Sequence, residues 1–344
     1  MNNFWLFRSN IKHLEYYHKY DNVEDFERNC HDFYMLFPIW LLRAGHFGTV
    51  VIWRLSNSPP KEIVFNVDGY AYIQRWVRNF SEVLKYPKPD MSFFRGGFKE
   101  YDTVTKLNPE YFGLKIYLAT GRRTYPQWGG KYDLFVQEDQ DDFRKDKKCQ
   151  PFFKTASPDV FRLHPWHKKD NDEFDICWPC NFKQIRYKGQ EQFIKSVSKS
   201  AYLKSLKIVH CGNQPQVGKK LCKKYGVKNI EFRGEVDRKE LCYILNNSKF
   251  GLCMSNKNDG CPRVVTEILM TGTPLILSDQ TRLLPYYKKR GVIEVNDSNI
   301  SYKIREGITY VERYKQDVVK AIITTLNFDA ICQKNIDIWK NVSS

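Results

Sequence analysis

From residue 174 onward the chain alternates short apolar runs with longer segments whose apolar residues recur every three or four positions. FDICW (174–178), LKIVHCG (206–212), NIEFRG (229–234), KFGLCM (249–254), TPLILS (273–278) and GVIEV (291–295) have strand length and read as strands. Between them, EQFIKSVSKSAYL, VGKKLCKKYG, RKELCYILNN, PRVVTEILMTG and RLLPYYKKRG read as helices, several closing on glycine as helix C-termini do. This alternation predicts an α/β domain with a doubly wound parallel sheet.

The first half is less regular. NFWLF, TVVIWRL, EIVFNV, DMSFFR, LKIYLA, YDLFVQE and PFFKT are strand candidates, separated by helix-like FYMLFPIWLLRAGH and IQRWVRNFSEVLKY, which gives a second α/β layer. The polar segment HPWHKKDNDE (164–173) is the expected interdomain linker. The expected division is residues 1–170, residues 171–307, and two terminal helical patterns over 308–344 that return toward the N-terminal domain.

A length of 344 residues suits two such domains, and 42% apolar with 15% aromatic residues supplies their cores. The formal charge of +16 favours anionic partners, a class that includes phosphates, acidic glycans, nucleic acid and anionic membrane surfaces, without choosing among them. No apolar run is long enough to span a bilayer, and the first residues lack the apolar core of a secretory signal, so a cytoplasmic location is expected, with peripheral membrane contact left open. Ten cysteines scattered through predicted elements read as reduced thiols. His164, His167, Cys177 and Cys180 have the order of four zinc ligands, against the simpler reading of two small buried residues and a basic linker.

The candidate chemistry lies in SNKNDGCPRVVTEILMTGTPLILSD (255–279). A loop rich in Asn, Asp and Gly leads into Pro262, a residue favoured at the first position of a helix whose free N–H groups bind anions. Gly260 permits close backbone approach, Asp259 offers a carboxylate, and Glu267 projects from the helix about one and a half turns on. For a nucleotide sugar, amides would hold phosphate or sugar oxygens and carboxylates would accept from hydroxyls. An ordinary Arg263–Glu267 pair at i, i+4 and a polar turn at Asp259 remain the alternative. Upstream, Lys183, Arg186 and Lys188 cluster before a helix opening near Gly189, placed to neutralise a diphosphate leaving group or simply to form a solvated basic face.

Taken together, these residues resemble family 4 of the glycosyltransferases over roughly residues 174–300. The family's Glu-Gly-Phe-Pro run, second Glu and Gly-Thr-Pro turn correspond to Asp259-Gly260-Cys261-Pro262, Glu267 and Gly272-Thr273-Pro274, and its Arg before a Lys-Gly pair to Lys183 before Lys188-Gly189. NIEFRGEVDRKELCYILNNSKFGLCMS is similar to the family's strand, helix and strand leading into the donor loop, and WLLRAGHFGTVVI (40–52) to its first helix and second strand. The resemblance implies a GT-B fold of two Rossmann-like domains with a cleft between them, retention of configuration and no metal requirement. It implies that Glu267 holds the ribose, that Asp259 and the backbone of Gly260, Cys261, Pro262 and Arg263 hold the donor sugar, and that Lys183 and Lys188 bind the diphosphate. Asp259 and Lys183 depart from the family's Glu and Arg. Arg95, in FFRGG, stands where members carry an acceptor-side histidine.

The expected activity is therefore transfer from a nucleotide sugar, a UDP- or GDP-sugar acting as co-substrate with no cofactor, to a glycan or lipid-linked saccharide. A modified base in DNA is the alternative acceptor, and a non-catalytic sugar- or nucleic-acid-binding protein on the same fold the alternative class. Cations interleave with aromatics in YIQRWVRNF, FFRGGFKEY, GRRTYPQWGGKY and FRLHPWHKK, a composition suited to stacking on sugars or bases and equally to an aromatic core with a charged exterior. Asp170-Asn171-Asp172 has a metal-binding form but sits in the Lys-rich linker and is read as solvated.

Overall fold

The computed structural model describes residues 3–8, 20, 22–30, 32–56, 61–95, 101, 104–105, 108–119, 132–138, 149–163, 173–182, 188–256, 262–288 and 290–343. The chain divides into two compact units. Met1–Phe153 and Cys332–Ser344 form the first, and Lys154–Ile331 the second. The division falls ahead of the expected linker at 164–173, and the expected terminal segment 308–344 is shared: residues through Ile331 count with the second unit and later ones with the first.

The first unit is built on an eight-stranded sheet of β1 (Asn3–Arg8), β2 (Thr49–Leu55), β3 (Glu62–Val67), β4 (Tyr70–Val77), β5 (Met91–Arg95), β6 (Leu114–Ala119), β7 (Leu134–Gln137) and β8 (Cys149–Pro151), in the order β3-β4-β2-β1-β5-β6-β7-β8. All neighbours are parallel except β3 and β4. The central strands are buried on both faces, which is why β1 and β2 read as apolar runs rather than as alternations. On one face Trp5, Phe7, Trp53, Phe94 and Phe112 pack together, with Phe7 stacked on Phe94 at 4.6 Å. On the other, Trp339 lies among Phe4, Phe37, Phe93 and Phe152, with ring centroids 5.5 to 6.4 Å apart. The Asn335 side chain bonds both backbone groups of Phe153, accepting from its N–H at 2.9 Å and donating to its carbonyl at 2.8 Å.

Two expectations fail here. IQRWVRNFSEVLKY is not one helix: its first part belongs to β4, and a 3-10 helix, Phe80–Lys85, follows. Ile73, Trp76, Val77 and Phe80 imitate helical spacing, but Asp68 (φ 51°) and Gly69 (φ 90°) turn the chain sharply. Tyr70–Val77 then pairs back on β3 and continues the sheet beside β2. PFFKT contributes only Pro151 to a strand, after which the Phe152 N–H still bonds the Gln137 carbonyl of β7 at 2.7 Å and both Phe152 and Phe153 are buried.

The second unit carries a six-stranded, wholly parallel sheet of β9 (Phe174–Pro179), β10 (Ile208–Cys211), β11 (Ile230–Gly234), β12 (Ser248–Cys253), β13 (Leu275–Ser278) and β14 (Val292–Val295). All six coincide with expected strands. The order β11-β10-β9-β12-β13-β14 reverses direction between β9 and β12, the switch point at whose C-terminal edge doubly wound sheets bind ligands. Helices Gln190–Lys199, Pro215–Tyr225, Arg238–Asn246, Arg263–Met270 and Ile300–Thr309 connect or cover these strands.

Candidate functional site

At that switch point lies a pocket of about 410 Å³, lined entirely by residues of the second unit. Its floor is made by strand ends: Trp178 and Pro179 with Cys180, Cys211, and Leu252 with Cys253. Small residues let the backbone come close. A Cβ on Gly212, at φ 154°, would stand 1.7 Å from the Cys180 carbonyl oxygen, and one on Gly189, at φ 61°, would stand 2.2 Å from the Met254 oxygen. Only glycine fits at either point, and Gly189 thereby fixes the start of helix Gln190–Lys199 with Lys188 at the pocket wall.

Two helices open toward this space. Gln190–Lys199 begins behind Lys188, and Arg263–Met270 begins behind Pro262, which is the cap residue rather than the first helical one. Uncapped N–H groups at such ends favour anions. Pro262, Arg263 and Glu267 line the pocket with Lys188, so four of the residues singled out in the sequence meet in one place. Lys183, Asp259, Gly260 and Cys261 lie outside the described residues. Arg95 belongs to the first unit, at the end of β5.

Glu267 is 5% exposed, and its carboxylate is held by Arg238 rather than Arg263, with Arg238 Nη1 donating to Oε1 at 3.0 Å. Arg238 is a site residue that the sequence reading missed. It opens helix Arg238–Asn246, whose cap Asp237 accepts from the Glu240 N–H at 2.8 Å. The signal for it was positional: EVDRKE follows directly on the Gly234 end of a strand, the edge where ligands sit. Glu235, Asn181 and Asn213 join the lining in the same way.

Beneath the floor, His210 is fully buried among Trp178, Phe182 and Phe232, with Nε2 3.3 Å from Cys180 Sγ. Burial holds its pKa down at about 4, so it is neutral in neutral solution. Burial likewise pushes the Cys177 and Cys180 thiols up, which keeps them protonated and unreactive. Among the described residues no group of three or more His, Cys, Asp or Glu is arranged to hold a metal ion, and His164 and His167 lie outside them. The arrangement is suited to a ligand with a diphosphate and hydroxyls. Cations and helix N-termini face the former, and a buried, oriented carboxylate can accept from the latter.

Residues 180–321 match the family Glycosyl transferases group 1. Over 100% of this chain and 99% of the other, the structure resembles sucrose-phosphate synthase of Thermosynechococcus elongatus, with a TM-score of 0.67 at 12% identity. The fold is GT-B. Other GT-B likenesses are Anabaena HepE in complex with UDP and glucose, with a TM-score of 0.60 at 8% identity over 100% of this chain and 98% of that one, and an α-glucosyltransferase in complex with UDP and a 13-mer DNA containing an HMU base, with a TM-score of 0.62 at 13% identity over 98% and 99%. By sequence, no curated protein matches the chain. Among the described residues no helix of this GT-B chain is long and apolar enough to cross a membrane.

Proposed function

We propose that this chain is a glycosyltransferase that takes a sugar from a nucleotide-sugar donor, a UDP- or GDP-sugar, bound in the pocket of the second unit. The observation that carries the reading is the meeting of Lys188, Arg263 and Glu267 at the sheet's switch point, inside the segment that matches Glycosyl transferases group 1. In this reading Glu267, aimed by Arg238, accepts hydrogen bonds from the ribose. Lys183 and Lys188 with the helix N-terminus take up the charge that grows on the departing diphosphate. Asp259 and the backbone of Gly260 to Arg263 orient the donor sugar. The bond from the anomeric carbon to the diphosphate oxygen breaks, a bond from that carbon to the acceptor oxygen forms with retention, and the acceptor hydroxyl gives its proton to the departing diphosphate oxygen. Fixed cations supply the electrostatic stabilisation, so no metal is required. The acceptor is a glycan or lipid-linked saccharide held by the first unit, with Arg95 on its side, and the enzyme works in the cytoplasm.

A modified base in DNA is a second acceptor reading. It is favoured by the +16 charge and by the likeness to the α-glucosyltransferase solved with DNA. Loss of acceptor binding with rising salt separates it from a neutral glycan.

The test is release of nucleoside diphosphate from a panel of UDP-, GDP-, ADP- and CDP-sugars, with and without EDTA. Release from one donor that resists EDTA, with kcat/KM lowered about a hundredfold in Glu267→Ala, is expected. No release together with no donor binding in any member of the panel would replace the transferase by a binding protein.

A further inference from the structure

Three arginines stand side by side in the first sheet. Arg8 closes β1, Arg54 lies near the end of β2 and Arg95 closes β5, and the register pairs Arg8 with both of the others. Residues in register on adjacent parallel strands project to the same face, about 4.8 Å apart. All three meet the start of helix Phe33–Arg43. Arg8 Nη2 is 2.9 Å from the cap carboxylate of Asp32, Arg54 Nη2 is 3.2 Å from Met35 Sδ, and the Arg95 guanidinium lies 3.8 Å from the Tyr34 ring centre. Arg8 is 6% and Arg54 3% exposed, and the Asp32 carboxylate offsets part of the positive charge gathered here. Tyr34 is 4% exposed, and its hydroxyl is buried without a hydrogen-bond partner among the described residues.

We propose that Arg54, Arg8, Arg95 and Tyr34 form a binding site for a compact phosphate group, the phosphomonoester of a phosphorylated sugar. Guanidinium forks match phosphate oxygens, and the tyrosine hydroxyl completes the donor set. Burial selects the ligand: a nucleic-acid backbone is read by cations spread over an exposed surface, whereas a row sunk at the strand ends accepts a terminal group. That this phosphate belongs to the acceptor rests on the transferase reading; the site itself does not.

The test is calorimetric titration of the full chain with inorganic phosphate and with glucose 6-phosphate, with glucose as the blank, all in a Lys188→Ala background so that donor-pocket phosphate binding is suppressed. Both anions are expected to bind at one site and glucose to be silent. Affinity should fall about tenfold in Arg95→Gln and about fivefold in Tyr34→Phe, with the melting temperature of Tyr34→Phe unchanged because its hydroxyl has no hydrogen-bond partner among the described residues. Unchanged affinity in both variants overturns the site. Displacement of bound phosphate by duplex DNA overturns the compact ligand. Donor release and donor binding are read separately in the wild-type chain: phosphate binding at this row with neither of them leaves the site standing and removes the transferase reading, and turnover without phosphate binding does the reverse.

Discussion

The C-terminal edges of the two sheets solve the same electrostatic problem in opposite ways. In the second unit the strand ends are thiols, prolines and glycines that let backbone approach the ligand space, and the cations Lys188, Arg238 and Arg263 come from adjoining loops and helix starts, where they keep partial or full exposure. In the first unit arginines stand at or near the strand ends themselves, with carboxylate, sulfur and aromatic neighbours beside them, Arg8 and Arg54 buried and Arg95 half-buried. Cations at helix starts can follow a ligand whose charge changes during reaction. Cations locked in the sheet recognise one whose charge stays put.

The sharpest way to break this contrast is to add bulk to the second unit's floor. Gly212→Ala should lower stability by about 3 kcal/mol, read by chemical denaturation, because its Cβ meets the Cys180 carbonyl and its φ is one that alanine avoids. A melting point equal to wild type would show that the floor yields.

A similar effect is expected from pH. The His210 pKa, held at about 4 by burial, rises to its ordinary value of about 6.5 on unfolding, so the unfolded state binds the extra proton. Stability is complete above about pH 6.5 and falls as pH drops toward 4, by roughly 3 kcal/mol in all. His210→Gln should flatten that slope, and an unaltered slope would assign the acid sensitivity elsewhere.

The smallest effect belongs to Arg238→Ala. Arg238 is a positioning residue acting through Glu267, so the variant should raise the donor KM about fivefold with kcat little changed, and Arg238→Lys should recover part of it. Equal loss in kcat would place Arg238 against the reacting atoms instead.

Much of the second unit was legible because strands buried on both faces leave uninterrupted apolar runs bounded by Gly and Pro, and because Gly189, Pro262 and Glu267 keep fixed spacings along the chain. Arg238 was not, since what makes it a site residue is the fold bringing β11's end beside the helix that carries Glu267. In the first unit, Asp68-Gly69 was a hairpin signal in plain view, outweighed by an accidental helical period through Ile73, Trp76 and Phe80. The arginine row was half visible. NFWLFR, TVVIWRL and DMSFFR each carry an arginine at or near their end, but side-by-side placement depends on strand order and register, which periodicity does not encode.

Trp339, packed among Phe4, Phe37, Phe93 and Phe152, ties the first unit's core to a segment translated after the whole of the second. Domains ordinarily fold in the order in which they leave the ribosome. In this chain the unit that begins first must wait: its sheet can assemble early, but the aromatic face stays open to solvent or chaperones until Trp339 arrives, while the contiguous second unit can close without delay.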